Sequence, residues 1–222
     1  MHRKNLIQKL ATKILSINKP NPIKVAIDGI DASGKTYLAN ELTKYLQNSK
    51  RQIINSSIDG FHNPKKIRYK KGRSSPNGYY KDSFNYQSVI KNLLLPLSAK
   101  GNLRYCVATF DYQINQEIKT SLKIAKQNAI LIMDGVFLLR PELINYWDLK
   151  IFLNVDFKTT LLRAIQREKD QKTLGNKQDI INWYKIRYIP GQKLYFAESN
   201  PQKKANIIID NNNFNYPKIN KF

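Results

Sequence analysis

Cysteine and histidine are scarce in this chain, which has a single cysteine, Cys106, and two histidines among 222 residues. A single cysteine excludes an intrachain disulfide. Together with only two histidines, it cannot supply the four ligands of a structural zinc site. This cysteine usage is typical of a reducing compartment, so we expect a cytoplasmic protein.

Long apolar runs are also missing. The longest, Ala129 to Leu139, is interrupted by Asp134 and falls short of the roughly 20 residues that cross a bilayer. The basic start of the chain leads into an amphipathic pattern, so we expect neither a signal peptide nor a membrane span. Residues 1–20 are predicted to hold a helix packed on the core, with a membrane-surface or transit-peptide helix as the alternative. Its apolar stripe consists of Leu6, Leu10, Ile14 and Ile17.

Acidic residues are few: 16 Asp and Glu stand against 38 Lys and Arg, a net charge of +22. Such an excess is typical of nucleic-acid-binding proteins. The lysines are nevertheless dispersed along the chain, and only the run from Lys65 to Arg73 is dense. Dispersal disfavours a nucleic-acid interface and is compatible with a site for a polyanionic nucleotide.

One stretch carries a phosphate-binding pattern. Gly29, four residues, and then Gly34-Lys35-Thr36 match the P-loop motif G-x-x-x-x-G-K-[ST]. The glycines permit a tight loop whose N–H groups surround phosphate oxygens. Lys35 would contact the β- and γ-phosphates, and Thr36 would offer its hydroxyl to Mg²⁺. The motif predicts that ATP or GTP, with Mg²⁺, binds here; a glycine-rich turn without a ligand is the alternative. The predicted nucleotide-binding residues are Gly29, Asp31, Ala32, Ser33, Gly34, Lys35 and Thr36.

Two carboxylates follow predicted strands. Asp59 comes after the strand 52–58, and Asp134 comes after the strand 129–133. The carboxyl ends of parallel strands are where α/β sheets bind ligands. Asp59 could therefore take a proton from a substrate hydroxyl, although Asp-Gly also suits a turn. Asp134 is placed like the carboxylate that helps hold the metal in P-loop proteins, with an ordinary strand-end turn as the alternative.

Between these motifs the patterns are weaker. Residues 63–82 lack apolar periodicity and are predicted to be a substrate-side loop, with a mobile surface excursion as the alternative. Residues 83–99 are predicted to form a helix that Pro96 bends or ends. A third strand from Leu103 to Phe110 and an amphipathic helix from Asn115 to Asn128 are expected next.

The last part of the chain is predicted to contain a helix from Phe157 to Lys169 with Arg163 and Arg167 on one face. Cations stabilise a migrating phosphoryl group, so these two suit a phosphate contact, with a solvated helix face as the alternative. Residues 168–190 are expected to form a small lid. The remaining segments are the strands Lys150–Val155 and Ala205–Asp210 and a polar tail at 211–222.

Taken together, ordered pieces from about Ile23 to Asp210 resemble the uridine kinase family of P-loop phosphotransferases, including its phosphoribulokinase-like relatives. The resemblance implies a three-layer α/β P-loop kinase fold: a five-stranded parallel sheet with helices on both faces and a small lid, in a single domain 1–222. The pieces are the P-loop, S-I-D-G-F-H (57–62), K-D-S-F (81–84), T-F-D-Y (109–112), M-D-G-V-F (133–137), the helix with its two arginines, and P-G-Q-K-L-Y-F (190–196).

The same resemblance implies roles for matching residues. Asp59 would be the general base on the 5′-hydroxyl of a nucleoside, beside His62, where the family usually has tyrosine. Phe110 and Tyr112 would flank the base, and Asp82 would bind the ribose. Contacts to the phosphates and the metal are implied for Arg163, Arg167, Thr36 and Asp134.

Departures from the family put the acceptor in question. Lys172 and Lys177 stand where arginines are common, and Asn115 stands where a base-recognising histidine is often found. Uridine or cytidine is the first expectation, with pantothenate or a sugar phosphate such as ribulose 5-phosphate as alternatives. A homo-oligomer stays open. Two different classes also remain: a basic nucleic-acid-binding protein switched by NTP, and a non-catalytic NTP-binding relative.

Overall fold

The structure, a computed structural model, describes residues 1–222 except Lys169. Within the described residues, six strands form the central sheet: β1 Ile23–Gly29, β2 Ile53–Ser57, β3 Ile130–Gly135, β4 Leu149–Asn154, β5 Ile207–Asp210 and β6 Lys218–Lys221. Their order is β6-β5-β4-β1-β3-β2, with β6 antiparallel to β5 and the other neighbours parallel. The predicted five-stranded parallel core is therefore confirmed, and an edge strand is added in the expected polar tail.

Helices connect and cover these strands, and three-residue to five-residue stretches of 3₁₀ or π geometry lie at Ile58–Phe61, Ile90–Leu94, Ile144–Tyr146 and Tyr184–Tyr188. None of the helices in the described part of the chain is both long and apolar enough to cross a membrane. The α-helices are α1 Arg3–Leu15, α2 Lys35–Leu46, α3 Lys65–Arg68, α4 Pro76–Asp82, α5 Tyr86–Val89, α6 Phe157–Gln166, α7 Glu168–Leu174, α8 Lys177–Trp183, α9 Ile189–Ser199 and α10 Pro201–Lys204.

Both faces of the sheet are buried against helices. Val25 and Ile27 of β1 join the apolar cluster around α1 and α2, whereas the intervening Ala26 joins a second cluster that includes Phe137 and Tyr195. Successive residues of a strand point to opposite faces, so this alternation requires a layer of helices on each side. The three-layer α/β arrangement predicted from the sequence is confirmed.

The predictions for residues 103–128 are wrong. The expected strand 103–110 and helix 115–128 are replaced by two small antiparallel ladders. Leu103 and Asn115 have φ angles of 60° and 59°, a left-handed conformation that interrupts regular structure. Leu122 and Ile124, on the expected apolar face, are 59% and 68% exposed, whereas Ala125 of the same face is buried, so the segment does not bury that face as a helix would. The ladders pair Arg104–Tyr105 with Lys123–Ile124 and Phe110–Asp111 with Gln116–Glu117.

Two other segments differ from expectation. The predicted loop 63–82 contains α3 and α4, which were missed because four and seven residues are too few to show periodicity. Ser75 starts α4 by accepting a hydrogen bond from the N–H of Gly78. The helix predicted from Phe157 ends at Gln166, since Arg167 is extended; its predicted end, Lys169, lies outside the described residues.

Candidate functional site

The phosphate loop, Gly29–Thr36, joins β1 to the N-terminus of α2. Gly29 and Gly34 have φ angles of 154° and 96°. A Cβ atom on Gly34 would lie 2.8 Å from the side-chain nitrogen of Asn211. Only glycine combines this backbone conformation with so close an approach. The loop therefore presents backbone N–H groups at the start of a twelve-residue helix, an arrangement that binds anions.

Asn211, in the predicted polar tail, supports this loop and was missed by the sequence analysis. Its side chain is buried, and Nδ2 donates a hydrogen bond to the carbonyl of Ser33 at 2.8 Å. Arg3 donates to Asn211 Oδ1 at 3.2 Å, which links α1 to the same support. An asparagine directly after β5 was the available signal, because polar residues at strand ends commonly face the ligand side of such sheets.

Lys35, Thr36 and Asp134 meet beneath the loop. Lys35 Nζ donates to the carbonyl of Ile30 at 2.7 Å, and Thr36 Oγ1 donates to Asp134 Oδ2 at 2.7 Å. The register of the sheet places Asp134 opposite Ser57. Burial raises the pKa of Asp134 and lowers the pKa of Lys35. A cation beside Asp134 and an anion beside Lys35 would each offset that burial.

The side-chain oxygen atoms of Thr36 and Asp134 are suitable ligands for Mg²⁺. The hydroxyl of Thr36 and the carboxylate of Asp134 are hydrogen-bonded to each other, and the negative charge of Asp59 further raises the pKa of Asp134. Mg²⁺ prefers oxygen ligands and is commonly held by one or two carboxylates together with substrate phosphates and water. The residues present therefore fit a metal ion that is shared with a phosphate group.

A first cavity of about 200 Å³ opens beside the phosphate loop. It brings together Asp59, His62 and Tyr112, three of the predicted substrate residues. The ring of His62 lies 4.5 Å from that of Phe84 and 4.7 Å from that of Tyr112, forming an aromatic wall. The other described residues that line the first cavity include Asp31, Ala32, Lys35, Thr36, Ser57, Arg68, Tyr69, Tyr79, Asp134, Arg167, Asp170, Tyr184 and Tyr188.

Two predicted substrate residues lie outside this cavity. Asp82 forms ion pairs with Lys71 at 2.8 Å and with Lys70 at 3.7 Å. Phe110 is buried in one of the small ladders. The ribose and base contacts that the resemblance implied for these residues are therefore not available in this arrangement.

A second cavity of about 450 Å³ also borders Lys35. Arg163 lines it and donates to the carbonyls of Asn211 and Asn212, at 2.8 Å and 2.9 Å. Arg167 lines both cavities and forms an ion pair with Asp170 at 2.8 Å. The two cavities share Ala32, Lys35, Thr36 and Arg167. The other residues of the second cavity are Gly34, Tyr37, Gln166 and Phe214.

Asp31 is anchored by two residues that the sequence analysis did not single out. Its Oδ2 atom accepts hydrogen bonds from the hydroxyl of Tyr79 and the side-chain amide of Gln192, both at 2.6 Å. Tyr79 lies on α4 and Gln192 on α9, so Asp31 ties the phosphate loop to both helices. The sequence signal for these two residues was their position, Tyr79 within the predicted substrate-side loop 63–82 and Gln192 within P-G-Q-K-L-Y-F (190–196).

A buried carboxylate lies behind the loop. Asp28 accepts hydrogen bonds from the hydroxyl of Tyr195 and from the N–H of Gly29, and it has no exposed surface. Tyr195 accepts in turn from the N–H of Leu139 at 3.1 Å. Burial raises the pKa of Asp28 to about 6. The carboxyl of Asp28 therefore gains or loses its proton around pH 6, although Asp28 lines neither cavity.

No family model matches this chain. Among curated proteins, it is 25% identical over 148 residues to "Uridine-cytidine kinase B" of Dictyostelium discoideum, covering 67% of this chain and 59% of that protein. It is also 25% identical to "Uridine kinase-like protein 5" of Arabidopsis thaliana, covering 90% of this chain but 42% of that protein. The chain thus spans about half the length of these two relatives. The "Uridine kinase" of Brevibacillus brevis is 22% identical over 88% of this chain and 87% of its own length.

Solved structures share the fold. One described as a possible uridine kinase from Bacillus stearothermophilus has a TM-score of 0.73 and 21% identity, covering 92% of this chain and 97% of its own. The D-glycerate 3-kinase of Cryptococcus neoformans has a TM-score of 0.58 and 14% identity, covering 85% and 88%. These findings confirm that the chain has a P-loop kinase fold and that it is similar in sequence to proteins described as uridine kinases or uridine kinase-like.

Proposed function

We propose that the protein is a kinase that transfers the γ-phosphoryl group of ATP, or of GTP, to a hydroxyl of a small metabolite. The observation that carries this proposal is the junction of the two cavities at Lys35, Thr36 and Arg167. A nucleotide in the second cavity would place its terminal phosphate at this junction, facing an acceptor in the first cavity. Kinase is the shared description of the relatives.

The residues at the junction suit phosphoryl transfer. The N–H groups of the phosphate loop bind the phosphates, Lys35 exchanges its contact with Ile30 for a phosphate oxygen, and Arg167 approaches from the other side. Thr36 and Asp134 would hold Mg²⁺, whose charge neutralises the phosphate oxygens. Arg163 and Phe214 border the space for the nucleoside part of the donor.

Asp59 is the proposed general base. It lines the first cavity close enough to Asp134 for their charges to interact. The acceptor oxygen forms a bond to the γ-phosphorus while the bond from that phosphorus to the β-bridging oxygen breaks, and the proton of the hydroxyl passes to Asp59. ADP, or GDP, leaves with the electron pair of the broken bond.

The acceptor is a small molecule. The printed names of the relatives make uridine and cytidine the first candidates, through the 5′-hydroxyl, with His62 and Tyr112 as the wall against which an acceptor packs. Pantothenate and ribulose 5-phosphate are candidates of the same reaction class. The single cysteine, Cys106, supports a cytoplasmic location.

The test is a transfer assay with labelled ATP and Mg²⁺ across nucleosides, pantothenate and sugar phosphates, repeated with GTP as donor. We expect label to appear on one class of acceptor and to disappear when Mg²⁺ is chelated. ATP hydrolysis without a labelled acceptor, coupled to salt-sensitive RNA or DNA binding, would instead support the nucleic-acid switch. Nucleotide binding with no turnover would support a non-catalytic relative.

A further inference from the structure

A buried arginine lines the first cavity with unused hydrogen-bonding groups. Arg68, the last residue of α3, is 7% exposed and lies in the cavity wall beside Tyr69. Its Nε and Nη2 atoms are shielded from solvent and make no hydrogen bond to any described residue. Buried guanidinium groups are normally paired, because an unpaired buried charge loses its hydration without compensation. Arg68 is thus an exception that lies within the substrate side of the site.

The neighbouring charges do not compensate it. Asp82, the carboxylate of the adjoining helix α4, is paired with Lys71 and Lys70. Burial lowers the pKa of Arg68 and Arg187 acts in the same direction, whereas Tyr69, Tyr112 and Tyr188 act in the opposite direction. The guanidinium of Arg68 lies 5.4 Å from the centre of the Tyr69 ring, a cation–π contact that leaves Nε and Nη2 without a hydrogen bond to a described residue. The guanidinium groups of Arg68 and Arg187 therefore lie near each other and close to the basic run from Lys65 to Arg73.

Arg187 differs from Arg68 in how it is satisfied. Its Nη1 atom donates to the backbone carbonyls of Arg73 and Ser75. Arg187 therefore holds the end of the basic run in place by contacts that need no ligand. Arg68 keeps donors that a ligand in the first cavity can engage after a small adjustment of the side chain.

We propose that the phosphate acceptor carries an anionic group, a carboxylate or a phosphate, which Arg68 binds while the acceptor's hydroxyl faces Asp59. This inference rests on the proposed kinase function and names its substrate class. A planar guanidinium matches both kinds of oxyanion with paired hydrogen bonds, and the surrounding basic run attracts anions. A neutral nucleoside would leave Arg68 unmatched. Arg68 is a specificity-determining residue on this assignment.

Matched acceptors test the proposal. Pantothenate is compared with pantothenyl alcohol, and ribulose 5-phosphate with ribulose, so that each pair differs in its anionic group; uridine serves as the neutral nucleoside. Transfer is measured with labelled ATP. Binding is measured separately by calorimetry with a non-hydrolysable ATP analogue on the phosphate loop, which keeps that loop from capturing the anion. We expect one anionic member to be favoured over its neutral counterpart by about 10- to 100-fold.

Variants assign that preference to one residue. Arg68→Gln should abolish it, mainly through a higher KM and Kd for the anionic acceptor with little change in kcat. Arg68→Lys should recover part of it, because the charge remains but the paired geometry is lost. Lys66→Gln is the matched control, since Lys66 is an exposed residue of the same helix and its loss removes the same charge.

The outcomes separate this inference from the proposal on which it rests. Equal affinity within both pairs, no binding of either anion, or an Arg68→Gln variant that behaves like Lys66→Gln would overturn the role of Arg68. Transfer to uridine alongside any of those results would leave the kinase proposal standing. Conversely, Arg68-dependent binding of an anion with no transfer to any acceptor would contradict the kinase proposal and support the anion-binding site at Arg68.

Discussion

The two sides of the site are built in different ways. The phosphate loop is made of consecutive residues between β1 and α2, and its shape depends on two glycines and the backbone. The opposite wall of the first cavity is assembled from side chains far apart in the chain, including Arg68, Tyr112 and Tyr188. On the proposed function, binding of phosphate is therefore a local property of one short segment, whereas recognition of the acceptor depends on how distant segments pack.

This difference has a consequence for mutations. Changes in the phosphate loop should affect the reaction with every acceptor, because each would use the same donor. Changes in the opposite wall should affect acceptors unequally, because its side chains meet different chemical groups. The following predictions test that contrast, from the largest expected effect to the smallest.

Replacing Asp59 should have the largest effect. Asp59→Asn keeps the shape of the side chain but removes the base, so we expect kcat to fall by about 10³-fold while nucleotide affinity is retained. Steady-state transfer assays and nucleotide titration measure the two quantities. Asp156→Asn is the control, since Asp156 is an exposed carboxylate that also follows a strand of the sheet. Turnover equal to that of the control would remove Asp59 as the base.

Replacing Lys35 should act on all acceptors alike. Lys35→Ala removes the buried ammonium at the junction of the cavities, and we expect kcat/KM to fall by about 10²- to 10³-fold for each acceptor tested. Lys44→Ala, on the exposed face of the same helix, should be close to wild type. A loss confined to one acceptor would contradict the proposed contact of Lys35 with the shared donor.

The buried Asp28 should make stability depend on pH. Its pKa is about 6 in the folded protein against an ordinary 3.8. The folded state therefore holds this proton more tightly than the unfolded state. The resulting stabilisation, about 3 kcal/mol, is complete only below the unfolded pKa of 3.8 and is lost progressively as the pH rises from there through 6.

The measurement compares urea unfolding of the wild type and Asp28→Asn at several pH values between 4 and 7.5. We expect the difference in unfolding free energy between them to change in favour of the variant as the pH rises. A difference that is constant across this range would show that Asp28 does not titrate between the two states.

The smallest predicted effect concerns the anchor of Asp31. Tyr79→Phe removes one of the two side-chain hydrogen bonds to Asp31 and leaves that from Gln192. We expect the free energy of unfolding to fall by about 1.5 kcal/mol and the KM for nucleotide to rise a few-fold, because the loop is held less firmly. Tyr45→Phe, on the half-exposed surface of α2, is the control. Identical behaviour of both variants would exclude Tyr79 as an anchor.

The accuracy of the sequence predictions follows the same contrast. The strands β1 and β3 and the phosphate loop were predicted because a continuous apolar strand followed by a constrained motif is a short-range signal. The prediction of a helix at residues 115–128 was wrong, because Leu122 and Ile124 of its expected apolar face are exposed, although Ala125 is buried. Helical periodicity indicates a helix only where the rest of the fold supplies a partner for the apolar face.

The roles of the predicted site residues differ in how well the packing supports them. Asp59, His62 and Tyr112 lie together in the first cavity. Asp59 was predicted from its position after a strand, whereas His62 and Tyr112 were placed by the family resemblance. Asp82, which was placed by resemblance, is instead paired with lysines. Whether such a carboxylate faces a ligand depends on the charged residues that folding brings next to it, here Lys70 and Lys71. The periodicity of the sequence does not predict those contacts.

The amino-acid sequence by itself determined the parallel α/β core, the phosphate loop and the two carboxylates at strand ends, because each depends on residues adjacent in the chain. Only the tertiary structure decided that Asn211 supports the loop, that Tyr79 and Gln192 hold Asp31, and that the Nε and Nη2 atoms of Arg68 are buried without a hydrogen-bond partner among the described residues. These contacts join residues from opposite parts of the chain, and whether a buried polar group is satisfied depends on the neighbours that folding brings to it.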